Sequence, residues 1–153
     1  MKVRNRSLKT KLKKKEVYMG EATREKRAYG MKRIVDVSFD EALTRTREAL
    51  KGEGFGVLTE IDMKEKFQEK LGKGFRNYVI LGACNPKLAF EALGKDIDIG
   101  LLLPCNVVVY ETEGQTAVAV IDAEKAMSVT GSTKVEPIAK QVNEKLSRAL
   151  NAI

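Results

Sequence analysis

The run NVVVYETEGQTAVAVI, residues 106–121, constrains the fold more than any other stretch. Two segments rich in β-branched residues flank Glu113-Gly114, the kind of dipeptide that closes a tight hairpin turn. The hairpin commits part of the chain to an antiparallel sheet, which needs partner strands and helices to cover it.

The rest of the chain offers both. AYGMKRIVDV (28–37) reads as a strand, with Ile34, Val35 and Val37 supplying β-branched content. Ser38 stands three residues before Glu41, the spacing of a capping box, and opens a helix with Phe39, Leu43, Thr46 and Leu50 on one face and a stop at Gly52 and Gly54. GVLTEI (56–61) reads as a second strand, short and apolar. Asp62 then caps a helix bearing Met63, Phe67 and Leu71, and Gly72 ends it where a left-handed residue is wanted. NYVILGAC (77–84) is almost continuously apolar, the pattern of a strand buried on both faces. Asn85 and Pro86 suit the cap and first position of a helix filled by Leu88, Phe90, Ala92 and Leu93 before Gly94. Pro137 starts the last helix, with Ile138, Val142, Leu146 and Leu150 as its apolar stripe and Glu144 and Arg148 spaced to pair. The order is β-α-β-(α)-β-(α)-β-β-α, an α+β domain with an antiparallel-leaning sheet.

Length permits one domain with a real core, expected over residues 29–153 behind a basic extension, 1–28. The net charge of +7 belongs to the N-terminal part. Residues 1–30 hold eleven Lys/Arg against three Glu, whereas 31–153 hold seventeen against eighteen Asp/Glu. The domain therefore has no electrostatic attraction for phosphate, and a nucleic-acid or anionic-membrane role is left to the KLKKK tail alone. Within that tail, EVYMGEA (16–22) is placed to extend the first strand into a hairpin. No apolar run is long enough to span a bilayer, no apolar stretch of a secretory signal follows the basic start, and two cysteines suit a reducing cytoplasm. The chain has no histidine, which removes His-assisted nucleophiles, His acid–base chemistry and His-ligated metal sites.

The segments FDEAL (39–43), EGFGVLTEID (53–62), LGACNPKLAFEAL (81–93) and IGLLLPCNVVVYE (99–111) resemble the bacterial and archaeal family called domain of unknown function 302. The resemblance runs from about Tyr29 to the C-terminal helix. It implies a single-domain β-α-β4-α sandwich, TATA-binding-protein-like, with short inserted helices, and it implies homodimers. It implies no activity and no cofactor, since fold alone does not carry function.

Both cysteines lie in mirrored segments, Cys84-Asn85-Pro86 and Pro104-Cys105-Asn106. A thiol just before a helix N-terminus is stabilised as thiolate, which makes Cys84 the one candidate nucleophile or redox centre. The competing role is a small buried hydrophobe at the end of a strand. Pro104 delays pairing at the start of the strand that Cys105 opens, because it lacks an N–H. Two thiolates are half of what zinc requires, so a metal site needs Glu60, Asp62 or a dimer mate. Glu60 and Asp62 flank Ile61 and share one face of an extended strand, though capping is a sufficient role for Asp62. Asn85 and Asn106 are suited to satisfying local backbone groups. The expectation is a dimeric, cytosolic domain that binds a small molecule or metal ion at a shallow site near Cys84, Asn85, Cys105, Asn106, Glu60 and Asp62. The alternatives are a thiol enzyme or redox protein built on Cys84, and a structural or interaction module.

Overall fold

The computed structural model describes residues 24–153. The proposed strand at 16–22 and most of the basic extension lie outside the described residues. The elements are β1 (Arg24–Arg27), β2 (Gly30–Val35), α1 (Phe39–Gly52), β3 (Gly56–Asp62), α2 (Met63–Leu71), β4 (Tyr78–Cys84), α3 (Pro86–Lys95), a 3-10 helix (Ile97–Leu102), β5 (Cys105–Thr112), β6 (Gln115–Ile121), α4 (Ala123–Ser128) and α5 (Glu136–Asn151). The six strands form one sheet in the order β1-β2-β6-β5-β4-β3, with every neighbouring pair antiparallel. From β2 onward this is the β-α-β4-α order, with α2, α3, the 3-10 helix and α4 as insertions. The first strand, β1, precedes Tyr29 and pairs Arg24 with Arg33.

The hairpin at the centre forms as its sequence demands. Glu113 (φ 49°) and Gly114 (φ 77°) both take left-handed conformations, the requirement of a turn whose twist matches the flanking strands. Register then sorts the side chains. Val107 faces Val120 and Leu81, and Val109 faces Val118 and Val79, so these residues share one side of the sheet and are buried. Helices α1 and α5 cover that side. α1 contributes Ala42, Leu43, Thr46 and Leu50, and α5 contributes Ile138, Ala139, Val142, Leu146, Ala149 and Leu150. The buried Thr46 hydroxyl donates to the Ala42 carbonyl at 2.6 Å, which removes the cost of an unpaired polar group.

Side-chain hydrogen bonds fasten the N-terminal hairpin and α4 to α5. Arg33 emerges from β2 on the covered side and donates to the carbonyls of Leu150 (3.1 Å) and Asn151 (2.6 Å). A cation there satisfies free carbonyls at the negative end of the helix dipole. Arg24 adds a hydrogen bond to Ser147 Oγ at 2.7 Å. Asn143 of α5 donates to Asp122 Oδ1 and Glu124 Oε2 while accepting from Ala123 N–H, which holds α4 in place.

The side-chain N-caps read from spacing form, with Ser38 accepting from Glu41 N–H, Asp62 from Glu65 N–H and Asn85 from Leu88 N–H, and Gly72 is left-handed at φ 62°, but the Glu41 carboxylate pairs with Arg45 at 2.8 Å and does not complete the capping box. Four other expectations need correction. The second strand, β3, read as short and apolar, is an exposed edge with a bulge between Val57 and Thr59 that turns Leu58 to solvent. The strand β4 is fully buried on its helix side at Val79, Leu81 and Ala83 but only half-buried at Tyr78 and Ile80, which face away from α1 and α5. Phe90 does not fill the α3 face; it is 82% exposed, since α3 buries only Leu88 and Ala92 and Phe90 points the other way. Arg148 pairs with Glu53 at 3.0 Å instead of with Glu144.

One close approach fixes the β3–β4–β5 corner. A Cβ on Gly82 would collide with Thr59 Oγ1 and come within 2.8 Å of Pro104 Cγ. The Leu103–Pro104 peptide is cis. Gly82→Ala is expected to destabilise the fold by about 1–3 kcal/mol through overpacking, measured as a lower urea midpoint at unchanged slope.

Candidate functional site

Among the described residues, two concavities lie at opposite ends of the sheet. At the first end, β4 runs out at Cys84 and β5 begins at Cys105, with Ala83 directly opposite Cys105. Asn85 caps α3 immediately beyond Cys84. These elements enclose a cavity of about 20 Å³ lined by Phe55, Ala83, Cys84, Asn85, Leu88, Cys105, Met127 and neighbouring apolar side chains. That volume holds at most about one water, and an apolar lining gives a water no partners.

Both cysteines are free thiols; Cys105 is buried and Cys84 is half-buried. Burial, with a smaller contribution from the nearby Cys84, pushes the Cys105 thiol up to about 11. Burial also pushes Cys84 up. The helix N-terminus beside Cys84 was expected to act in the opposite direction. Loss of hydration at the half-buried sulfur is the cause of the upward shift, and the nearby Leu88 N–H is already taken by Asn85.

The six residues nominated from sequence do not meet at one place. Cys84, Asn85 and Cys105 surround the small cavity. Asn106 is exposed and opposite Gly82, on the side of the sheet away from α1 and α5. Asp62 is opposite Val79, at the far end of β4 from Cys84, and is engaged as the cap of α2. Glu60, opposite Leu81, accepts from Arg47 Nη2 at 2.7 Å through both oxygens. Among the described residues no three Cys, Asp or Glu side chains gather as a metal-binding cluster.

At the opposite end, a wide cleft of about 1130 Å³ opens between the end of β2, the start of α1, the β5–β6 turn and the loop before β4. Its walls include Val37, Phe39 and Phe75, and its charged groups are Asp36, Arg76, Glu111 and Glu113. Thr116 donates to the Val37 carbonyl at 2.9 Å and holds that wall to the sheet. Arg76 donates to the Glu111 carbonyl at 3.2 Å and lies 5.9 Å over the Phe75 ring. The sequence reading passed over these residues. A signal was present in LGKGFRN (71–77), where an aromatic and an arginine adjoin directly after two glycines.

A family model described as "Domain of unknown function DUF302" matches residues 31–153. Among solved structures, the crystal structure of an uncharacterized conserved protein DUF302 from Bacillus stearothermophilus is 31% identical, with a TM-score of 0.78. The match covers 82% of this chain and 98% of that one. No curated protein matches the chain.

The thiols yield two measurable expectations. Cys105 should resist a disulfide reagent at pH 7 in the native protein and react only on unfolding, with Cys84 reacting more slowly than an unfolded control. The sign of the alkaline effect follows from linkage. The folded pKa of Cys105 is raised to about 11 from an ordinary value of 9.0, so its contribution is intact below pH 9 and is lost as pH rises toward 11. The loss should approach roughly 2–3 kcal/mol. Cys105→Ala should flatten most of that alkaline decline in denaturation experiments.

Proposed function

The chain belongs to the DUF302 family, and from that premise we propose that it is a cytosolic binding domain that works as a homodimer, pairing through the open face of its sheet. The observation carrying this reading is the apolar character of that face. Register places Ile34, Ala117, Ala119, Val108, Tyr110, Tyr78, Ile80 and Ile61 together on the side away from α1 and α5. Tyr78 stacks on Tyr110 at 5.3 Å, and Phe75 and Phe67 continue the aromatic row to α2. Charge is confined to the margin, where Lys32 pairs with Glu25 at 2.9 Å.

The six strands, four to eight residues long and spaced about 4.8 Å apart, present roughly 600 Å² in projection. Side-chain relief brings that whole face close to the ~800 Å² per partner of a standard interface, and an apolar centre rimmed by polar groups is the makeup of an interaction surface. A two-fold axis through the face sets like on like, Val108 and Ile80 at the centre and polar groups at the rim. Two unpaired thiols accord with a reducing compartment.

The thiol-enzyme reading and a ligand or metal site at the Cys-Asn segments draw less support. Both sulfurs are disfavoured as thiolates, and the space between them is apolar and about 20 Å³. Cys84, Asn85 and Cys105 are better accounted for as packing and capping residues.

Sedimentation equilibrium should give twice the mass of one chain at micromolar concentration. Val108→Lys, which changes a half-buried strand position without touching the helix-covered core, should weaken association by about a hundredfold or more, because a charge would be buried without a partner. A protein that is monomeric at all concentrations, or a folded lysine variant that pairs as tightly as the parent, would sink the proposal.

A further inference from the structure

The cleft at the turn end of the sheet holds charges that form no ion pair among the described residues. Among the described residues, Asp36, Glu113 and Arg76 have no salt-bridge partner. Glu111 is different, since its carboxylate accepts from Asn77 Nδ2 at 3.0 Å. Arg76 is held in place by one hydrogen bond to the Glu111 carbonyl and by its position over Phe75, and its remaining N–H groups are uncommitted. An arginine fixed this way presents a planar fork suited to a carboxylate, at little further ordering cost.

Opposite charges stand at the two sides of the cleft. Arg76 lies two residues before β4, and Asp36 directly follows β2. Between β4 and β2 the sheet inserts β5 and β6, so three inter-strand spacings separate them, about 14 Å. A free amino acid is far too short to bridge that span. A peptide advancing about 3.4 Å per residue covers it in about four residues. Glu113, at the tip of the β5–β6 turn, adds negative potential to the same cleft. The walls between the charges are apolar, with Val37 and Phe39 half-buried and Phe75 42% exposed.

We propose that this cleft binds a short, free-ended peptide of about four residues with apolar side chains, its terminal carboxylate on Arg76 and its terminal ammonium on Asp36. Phe75 and Phe39 take the apolar side chains. Recognition of both termini distinguishes such a peptide from an internal segment of a folded partner, which has neither charge. The charged anchors Arg76, Asp36 and Glu113 lie beyond the strand ends, and Phe75 borders both the cleft and the aromatic row of the sheet face.

The test is calorimetric titration of the full chain with the tetrapeptide Ala-Phe-Phe-Ala in free, N-acetylated, C-amidated and doubly blocked forms. The free peptide should bind, and each block should weaken binding by about tenfold, the scale of one charged hydrogen bond. Arg76→Gln should weaken the free peptide as much as amidation does and leave the amidated peptide unaffected. Asp36→Asn should show the same relation to acetylation. Both positions are exposed, so circular dichroism should report an unchanged fold. No binding of the free peptide up to millimolar concentration, equal affinity of the doubly blocked form, or indifference to Arg76→Gln would each overturn the proposal.

Discussion

Helices α1 and α5 lie on the same side of a six-stranded antiparallel sheet, and the rest of the structure follows from that one-sidedness. A strand alternates its side chains, so each residue of β4, β5 and β6 is committed to a covered or an uncovered side as soon as register is set. The covered side receives Val79, Leu81, Val107, Val109, Val118 and Val120 and is packed to completion. The other side receives Ile80, Val108 and the stacked tyrosines, which are only half-buried because α1 and α5 do not reach them. Cys105 falls on the covered side and Asn106 on the other, which is why two adjacent residues that look like one motif end in different environments.

Roles that a residue plays toward its near neighbours are legible in the chain. Ser38, Asp62 and Asn85 each sit three residues before the N–H that they accept from, and the stripe of α5 is buried as its spacing implies. Roles set by distant parts of the chain are not. Phe90 is two positions from both Leu88 and Ala92, about 200° around the helix, and nothing in the short α3 segment says that only one narrow face will be covered. β3 reads as apolar, yet its place at the edge of the sheet is decided by the order of the other strands. Arg148 has Glu144 at helical spacing, but Glu53, ninety-five residues earlier, is closer in space. α4 escaped notice because six residues with two buried positions make almost no periodic signal.

The same distinction separates the two concavities. The Cys-Asn segments attract attention in a linear reading because they repeat, yet burial makes their thiols less reactive than ordinary ones. The wide cleft is assembled from three connections that are far apart in sequence, and no single stretch advertises it. Surface chemistry of this kind is carried by loops that a rigid sheet holds in place, with the sheet supplying the distances.

The antiparallel arrangement has a kinetic side. Strands β4, β5 and β6 are consecutive in the chain, but the β2–β6 ladder joins Gly30 to Ile121, ninety-one residues apart. Loop-closure entropy makes such a long-range pairing late, so the central three strands present a finished edge to which the N-terminal hairpin docks. The Arg33 and Arg24 hydrogen bonds to the end of α5 then act as a latch on the last-arriving element. Seen in time, the first described strands of the polypeptide complete the sheet after the last helix has taken its place, and their amides should open to exchange before those of β5.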